Sequence, residues 1–364
     1  MAKTIAKLDS SSLDAAIKYM GSLVTLKEII LAPTEKGYCI FGSEGGSQVR
    51  IEMPPGGVDL NEPIKIAVDI FQKAVAGRKD MTISVNRGVL SIRAKGYSAD
   101  LSIMEVSEAT SITPEAESKE IKFTAGTWAW FSHSVQALQL EPMAGMELNF
   151  MGKVTAKSVI TAVFDSAQMA FQTAAASEMG SAEFEILLPY DRISRVLRGL
   201  PFDSTKILIG SGGMYVVTKR LRAFLPAIAE DGVVTVEDVV DKAKQITKLE
   251  GSRVELSSEA LRGFLSNAAS ISNGTAAAVS FKESKGKVFV KASSSSGIVR
   301  SSLEGACATP FALDYRFLLT LTNKIKEKIS IIVTDQMAVA KAVSGDSKIY
   351  LVTALQEDSG AEEG

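Results

Sequence analysis

One histidine, His133, and two cysteines, Cys39 and Cys307, are spread over 364 residues. The side chains that most often supply a catalytic base, a metal ligand or a disulfide are therefore nearly missing. No metal-ligand spacing can be built from them, and no metal or cofactor is expected. The cysteines lie in apolar, strand-like contexts of distant segments and read as two free, buried thiols. No G-x-S-x-G, Walker loop or H-E-x-x-H occurs. The Gly-rich stretch from Gly210 to Gly213 lies between two strand-like runs and not before a helix, so it reads as a hairpin turn and not as a phosphate cradle. His133, in TWAWFSHSVQAL, reads as a polar-face residue of an amphipathic helix. These absences argue against an enzyme.

Long apolar runs are missing too. Nothing approaches the roughly 18 residues of a membrane span, and MAKTIAKLD lacks the charged-then-apolar order of a signal peptide. The expectation is a cytoplasmic protein with no membrane partner. A net charge of −2 hides a segregation: acidic residues collect after Leu355 and between Ile112 and Ile121, and basic residues collect on predicted helices.

What is present is repetition. PIKIAVDIFQKAVAGRK from Pro63, FEILLPYDRISRVLRGL from Phe184 and PFALDYRFLLTLTNKIK from Pro310 share one order: an apolar run, an aspartate, then a basic amphipathic segment. Asp69, Asp191 and Asp314 lie 122 and 123 residues apart, the mark of a tripled unit. Each aspartate is expected to cap its helix. After each helix come two β-rich runs around a short turn, from Met81, Lys206 and Ile329, and a third strand near Ala99–Val106, Arg222–Ile228 and Ile349–Leu355. The other half of each repeat also opens on a Ser/Thr-capped helix, in AKLDSSSLDAAIKYMGSLV, IKFTAGTWAWFSHSVQAL and VELSSEALRGFLSNAAS. Strand-like runs follow, as in Glu28–Leu31, Tyr38–Gly42 and Gln48–Met53. The fold class is α+β: three repeated domains, each of two helix-plus-antiparallel-meander halves. The expected boundaries are 1–116, 117–230 and 253–357, with a connector holding a short helix at 231–252 and an acidic tail at 358–364.

The marked helices have two sides. Ile193, Val196, Leu197 and Leu200 form an apolar stripe opposite Arg192, Arg195 and Arg198. In the third copy Phe317, Leu318, Leu321 and Ile325 oppose Arg316, Thr320, Lys324 and Lys328. Lys73, Arg78 and Lys79 repeat the polarity in the first copy, and Lys18 and Arg262 add cations on first-half helices. A solvated helix face explains any one of these. Three copies of the same sign in the same place suit the evenly spaced phosphates of a duplex.

Six helix-plus-meander halves in three domains resemble the sliding DNA clamp family. The likeness is closest at the C-terminus, in the F-x-x-x-Y helix start before Tyr315, the hairpin at Val333, Thr334 and Asp335, and the closing strand at Tyr350, Leu351 and Val352. The acidic tail is similar to that of the eukaryotic clamp. The resemblance implies a DNA-clamp fold that closes as a homodimer into a six-domain ring, its helices facing double-stranded DNA. It implies a processivity factor tethering a DNA polymerase, opened by an ATP-dependent clamp loader, at a nucleoid or viral replication site. It also implies a partner-peptide pocket, matched here by Phe164, Gln168, Met169, Pro226, Ile228, Tyr315, Met337, Val339, Leu351, Val352, Thr353, Ala354 and Leu355. Ser166, Ala167 and Gln168 replace the bacterial Gly-His-Arg-like stretch, and Thr353, Ala354 and Leu355 replace its M-P-M ending. These departures point to a divergent clamp of viral type. A clamp-fold monomer held on DNA by charge alone stays open as the alternative.

Overall fold

The computed structural model describes the chain apart from residues 1–3, 9, 54–59, 61, 79–80, 87, 108–109, 123–124, 143–145, 156–157, 176–182, 198–204, 229–234, 273–277, 295, 345–346 and 357–364. One pattern, strand–helix–meander, is written six times. The first half-unit is β1 (Thr4–Leu8), α1 (Ser10–Leu23), β2 (Glu28–Thr34), β3 (Gly37–Glu44) and β4 (Ser47–Met53). The second is β5 (Ile64–Ala67), α2 (Val68–Val75), β6 (Met81–Asn86), β7 (Val89–Ala94) and β8 (Tyr97–Ser102). The third is β9 (Lys119–Ile121), α3 (Ala125–Ala137), β10 (Asn149–Val154), β11 (Ser158–Phe164) and β12 (Gln168–Ala175). The fourth is β13 (Phe184–Pro189), α4 (Tyr190–Leu197), β14 (Lys206–Gly210), β15 (Gly213–Val217) and β16 (Leu221–Pro226). After α5 (Val236–Ile246), the fifth comprises β17 (Ser252–Ser257), α6 (Ser258–Ser272), β18 (Ala278–Ser284), β19 (Lys287–Ser294), β20 (Gly297–Leu303) and a short β21 (Gly305–Cys307). The sixth is β22 (Phe311–Asp314), α7 (Tyr315–Lys324), β23 (Lys328–Val333), β24 (Met337–Ser344) and β25 (Ser347–Ala354).

Each pair of half-units exchanges its opening strands. β1 pairs with β6 and β5 with β2; β9 pairs with β14 and β13 with β10; β17 pairs with β23 and β22 with β18, all antiparallel. A strand that leaves its own meander to begin its sister's ties the two halves of a repeat together over a long sequence separation. Meanders then join by their last strands, β4 to β16 and β12 to β25.

The chain forms two compact units, Met1–Lys122 with Arg192–Ile228, and Phe123–Asp191 with Ala229–Gly364. The first holds the sheets β1-β6-β7-β8 and β5-β2-β3-β4-β16-β15-β14-β9. The second holds β13-β10-β11-β12-β25-β24-β23-β17-β21 and β20-β19-β18-β22. In the first unit α1 packs on α2 and on β3 and β4; in the second α6 packs on α7, β17, β19 and β20. Burial follows the periods that the sequence carries. β4 alternates buried and half-buried from Ser47 to Met53, while β11, covered on both faces, is buried from Val159 to Phe164. Cys39 and Cys307 are free and buried, and no helix among the described residues is long and apolar enough to cross a membrane.

The three aspartates are not equivalent. Asp314 caps α7, its Oδ1 accepting from the Arg316 amide at 2.7 Å. Asp69 lies inside the first turn of α2, whose N-cap is Ala67 with no side-chain cap, and Asp191 lies inside the first turn of α4. The structural equivalents are Val68, Tyr190 and Tyr315, which open their helices, so the third aspartate sits two positions earlier than the other two. In the first turn a carboxylate still meets the positive end of the helix dipole, and that is the role left to Asp69 and Asp191.

Candidate functional site

The apolar stripes are seated as the periodicity predicts: Ile193, Val196 and Leu197 are buried, as are Phe317, Leu318, Leu321 and Ile325. The opposite stripe of α7 needs correction. Thr320 is buried. The helix ends at Ile325, whose extended backbone forms the C-cap, so Lys328 is the first residue of β23 and pairs with Glu255. Lys79, Arg198 and Leu200 lie outside the described residues, as does the acidic tail.

Most of the remaining cations close the ends of neighbouring elements. Arg262 on α6 donates to the Thr322 carbonyl near the end of α7, and Lys324 to the Ala137 carbonyl at the end of α3. Arg316 donates to the Pro142 carbonyl at 3.0 Å. Arg78 donates to the carbonyls of Lys73 and Ala76 at 2.9 and 3.0 Å and stacks its guanidinium 3.6 Å above the Tyr97 ring. Arg192 reaches the Gly45 carbonyl and Ser47, both at 2.7 Å. Gly45 suits this contact because its φ of +51° favours glycine and a Cβ there would lie 2.7 Å from the guanidinium. Cations at helix C-termini satisfy orphan carbonyls and meet the negative end of the dipole. A carbonyl partner orders such a cation without cancelling its charge. Lys18 and Lys328 differ, since Asp14 at 2.7 Å and Glu255 neutralise them. Arg195 is engaged within the chain as well. Lys73, exposed in the last turn of α2, has no side-chain partner among the described residues.

Sheet register sorts the peptide-pocket candidates. In the second unit one face of the β10–β12 sheet lies under α3, where Phe131 packs edge-on against Phe150 at 5.8 Å. The other lies under α5, where Lys153 bonds Glu237 at 2.6 Å. Phe164, Met169, Val352 and Val339 are successive cross-strand partners on the α5 face, and Met337 with Ala354 continues the same face. Gln168, Leu351 and Thr353 point to the opposite face, with Gln168 Nε2 donating to the Glu141 carbonyl at 2.7 Å. Tyr315 is held on the helical side by its hydroxyl, which donates to the Leu265 carbonyl at 3.0 Å. Pro226 and Ile228 belong to the other compact unit. The predicted set is thus divided: six of its members share one face, and Phe164, Met169, Val339 and Val352 among them are covered by the chain itself. Met337, Ala354 and Leu355 are the more accessible members.

No protein-family model matches the chain, and no curated protein matches it. Solved structures do. The β subunit of DNA polymerase III from Thermotoga maritima superposes with a TM-score of 0.76 at 14% identity, over 97% of this chain and 99% of that one. A DNA polymerase sliding clamp from Pseudomonas aeruginosa gives 0.72 at 13% identity, over 97% and 99%. The fold is that of the DNA sliding clamps. The β subunit from Streptococcus pyogenes is similar as well, at 0.71 and 14% over 96% and 99%. At such identity the clamp fold persists through the βαβββ pattern and its strand exchange, and not through particular side chains.

Two features of this clamp fold escape a reading of the sequence. One is which sheet edges stay unpaired, because pairing across more than a hundred residues leaves no local trace. The other is a cluster at Lys219, Arg220 and Arg222, for which the string TKRLR is the available signal.

Proposed function

We propose that this protein is a sliding clamp: a closed ring of two chains that surrounds duplex DNA without sequence preference and tethers a polymerase. The observation that carries the reading is the pairing pattern of the last meander strands. Counting half-units along the chain, the first joins the fourth through β4 and β16, and the third joins the sixth through β12 and β25. The fifth would join the eighth, which is the second half-unit of another copy. Of the last meander strands, β20 of the fifth and β8 of the second are the two left at sheet edges among the described residues. Two copies satisfy both edges and close the series.

The edges are chemically matched. Ile298 is exposed on β20 and Phe289 on the neighbouring β19; Val89 is exposed on β7 beside β8, and Met104 just beyond β8, where it bridges to Lys65. Arg300 on β20 and Asp100 on β8 are of opposite charge, the latter shared with Arg93 at 2.8 Å. In the ring, Lys73, Arg78, Arg192, Arg195, Arg262, Arg316 and Lys324 supply the positive field together with Lys79 and Arg198, and Lys18 and Lys328 add to it where Asp14 and Glu255 leave charge to spare. Affinity then comes from counterion release, with no base readout. Binding raises the effective concentration of a tethered enzyme at its template. The chain works without chemistry of its own, and an ATP-driven loader opens the ring. Met337, Ala354 and Leu355, the accessible end of the apolar band whose buried part is Phe164, Met169, Val339 and Val352, are the proposed docking surface for a partner's peptide. Methionine suits such a surface because it adapts to several partners.

The test is retention on DNA. Once loaded, the protein is expected to stay on closed circular duplex and to be lost when that circle is cut to a linear form. Equal retention on both would overturn the ring.

A further inference from the structure

The face of the β5-β2-β3-β4-β16-β15-β14-β9 sheet turned away from α1 carries a second concentration of positive charge, which sliding does not use. Val49 and Ile51 of β4 are buried, while Arg50 and Glu52 alternate to the other face. There the β2–β3 turn, the end of β4 and the β15–β16 turn enclose a cleft of about 930 Å³, lined by Lys36, Arg50, Lys219, Arg220 and Arg222. Its acidic members are Glu35 and Glu52.

Arg50 and Arg222 are direct cross-strand partners. Arg50 is fixed and neutralised: its Nε donates to Glu52 and its Nη1 to the Thr110 carbonyl, both at 2.8 Å. Lys36, Lys219, Arg220 and Arg222 are exposed, and none of them has an ion pair among the described residues. The turn carrying Lys219 and Arg220, and leading into Arg222 on β16, is held by hydrogen bonds. Thr218 Oγ1 accepts from the Leu221 amide at 2.9 Å, the Thr218 amide donates to the Leu221 carbonyl at 2.8 Å, and the Glu52 amide donates to the Arg220 carbonyl at 2.8 Å. The cations thus stand on ordered backbone around a concave surface.

We infer that this cleft binds an acidic peptide segment of a partner protein, with Lys219, Arg220 and Arg222 taking its carboxylates. Two observations favour a peptide over a nucleic-acid strand. Among the described residues no aromatic ring lines the cleft, whereas single-strand sites draw much of their affinity from base stacking. Glu35 and Glu52 would oppose an unbroken run of phosphates, but spaced carboxylates between apolar side chains can avoid them and use Pro33 and Met53. Arginine forks at a groove wall are a recurrent means of holding acidic motifs.

The experiment uses the full chain, a fluorescein-labelled peptide of alternating glutamate and leucine, and a length-matched labelled oligothymidylate, followed by fluorescence anisotropy at low salt. Saturable peptide binding is expected, weakened at least about tenfold by the pair Arg220→Ser and Arg222→Ser, and also weakened by the pair Lys219→Ser and Lys36→Ser, the latter on the opposing wall. All four side chains are exposed, so unchanged thermal melts are expected to accompany both losses. Peptide binding indifferent to both double variants would reduce the cleft to a solvated basic face. Oligothymidylate bound more tightly than the peptide, and lost in the same variants, would make it a nucleic-acid site; either result overturns the inference. Because the readout needs neither ring nor duplex, failure of the clamp reading would leave it standing.

Discussion

Lys324 is a cation that folding has to strip of water. It ends α7, donates to the Ala137 carbonyl, and is driven by burial from the usual 10.5 down to about 8. One neutral carbonyl does not replace the hydration that an ammonium loses. The unfolded chain holds this proton up to its ordinary pKa, while the folded chain releases it near 8. Between those values the unfolded state binds more protons, so stability rises with pH across that window. At neutral pH the whole desolvation cost remains. Lys324→Met should therefore melt higher than the parent at neutral pH, and the gap should close as pH rises from about 8 toward 10.5; a thermal-melt series of both proteins measures it. A residue kept charged in so unfavourable a place fits a surface that needs its charge.

At the scale of elements, α5 is the clearest case of local chemistry setting structure. Thr235 and Asp238 form a reciprocal capping box, and Val236, Val239, Val240, Ala243 and Ile246 make the buried stripe. Asp238 lies below the usual carboxylate range because the Thr235 amide and hydroxyl donate to it. Thr235→Ala should cost about 1 kcal/mol, read from the denaturation midpoint. The connector helix, the meanders and the seated stripes were legible in the sequence because period 2, period 3.6 and capping are local signals. The exchange of β1 with β5, or of β17 with β22, was not, since an opening strand reads the same whichever meander receives it. Lys328 was read as helical because its spacing from Lys324 continues the stripe, while the extended turn at Ile325 had no glycine or proline to announce it. The pocket residues were only partly legible. Gln168 and Met169 are adjacent in sequence and fall on opposite faces of one strand, a division that only the register reveals.

At the scale of the molecule, the central claim is closure. Within one chain the last meander strands join half-units three apart, and two of those strands, β8 and β20, are left at sheet edges among the described residues. Leftover edges with exposed apolar side chains would invite open-ended aggregation unless pairing them closes a ring. A low-resolution image of single particles tests this most directly. The prediction is a ring of six lobes around a hole in the parent protein, and single-chain arcs when Ile298→Glu and Arg300→Glu are introduced at the β20 edge. Solid particles without a hole, or rings that survive the two substitutions, would contradict it.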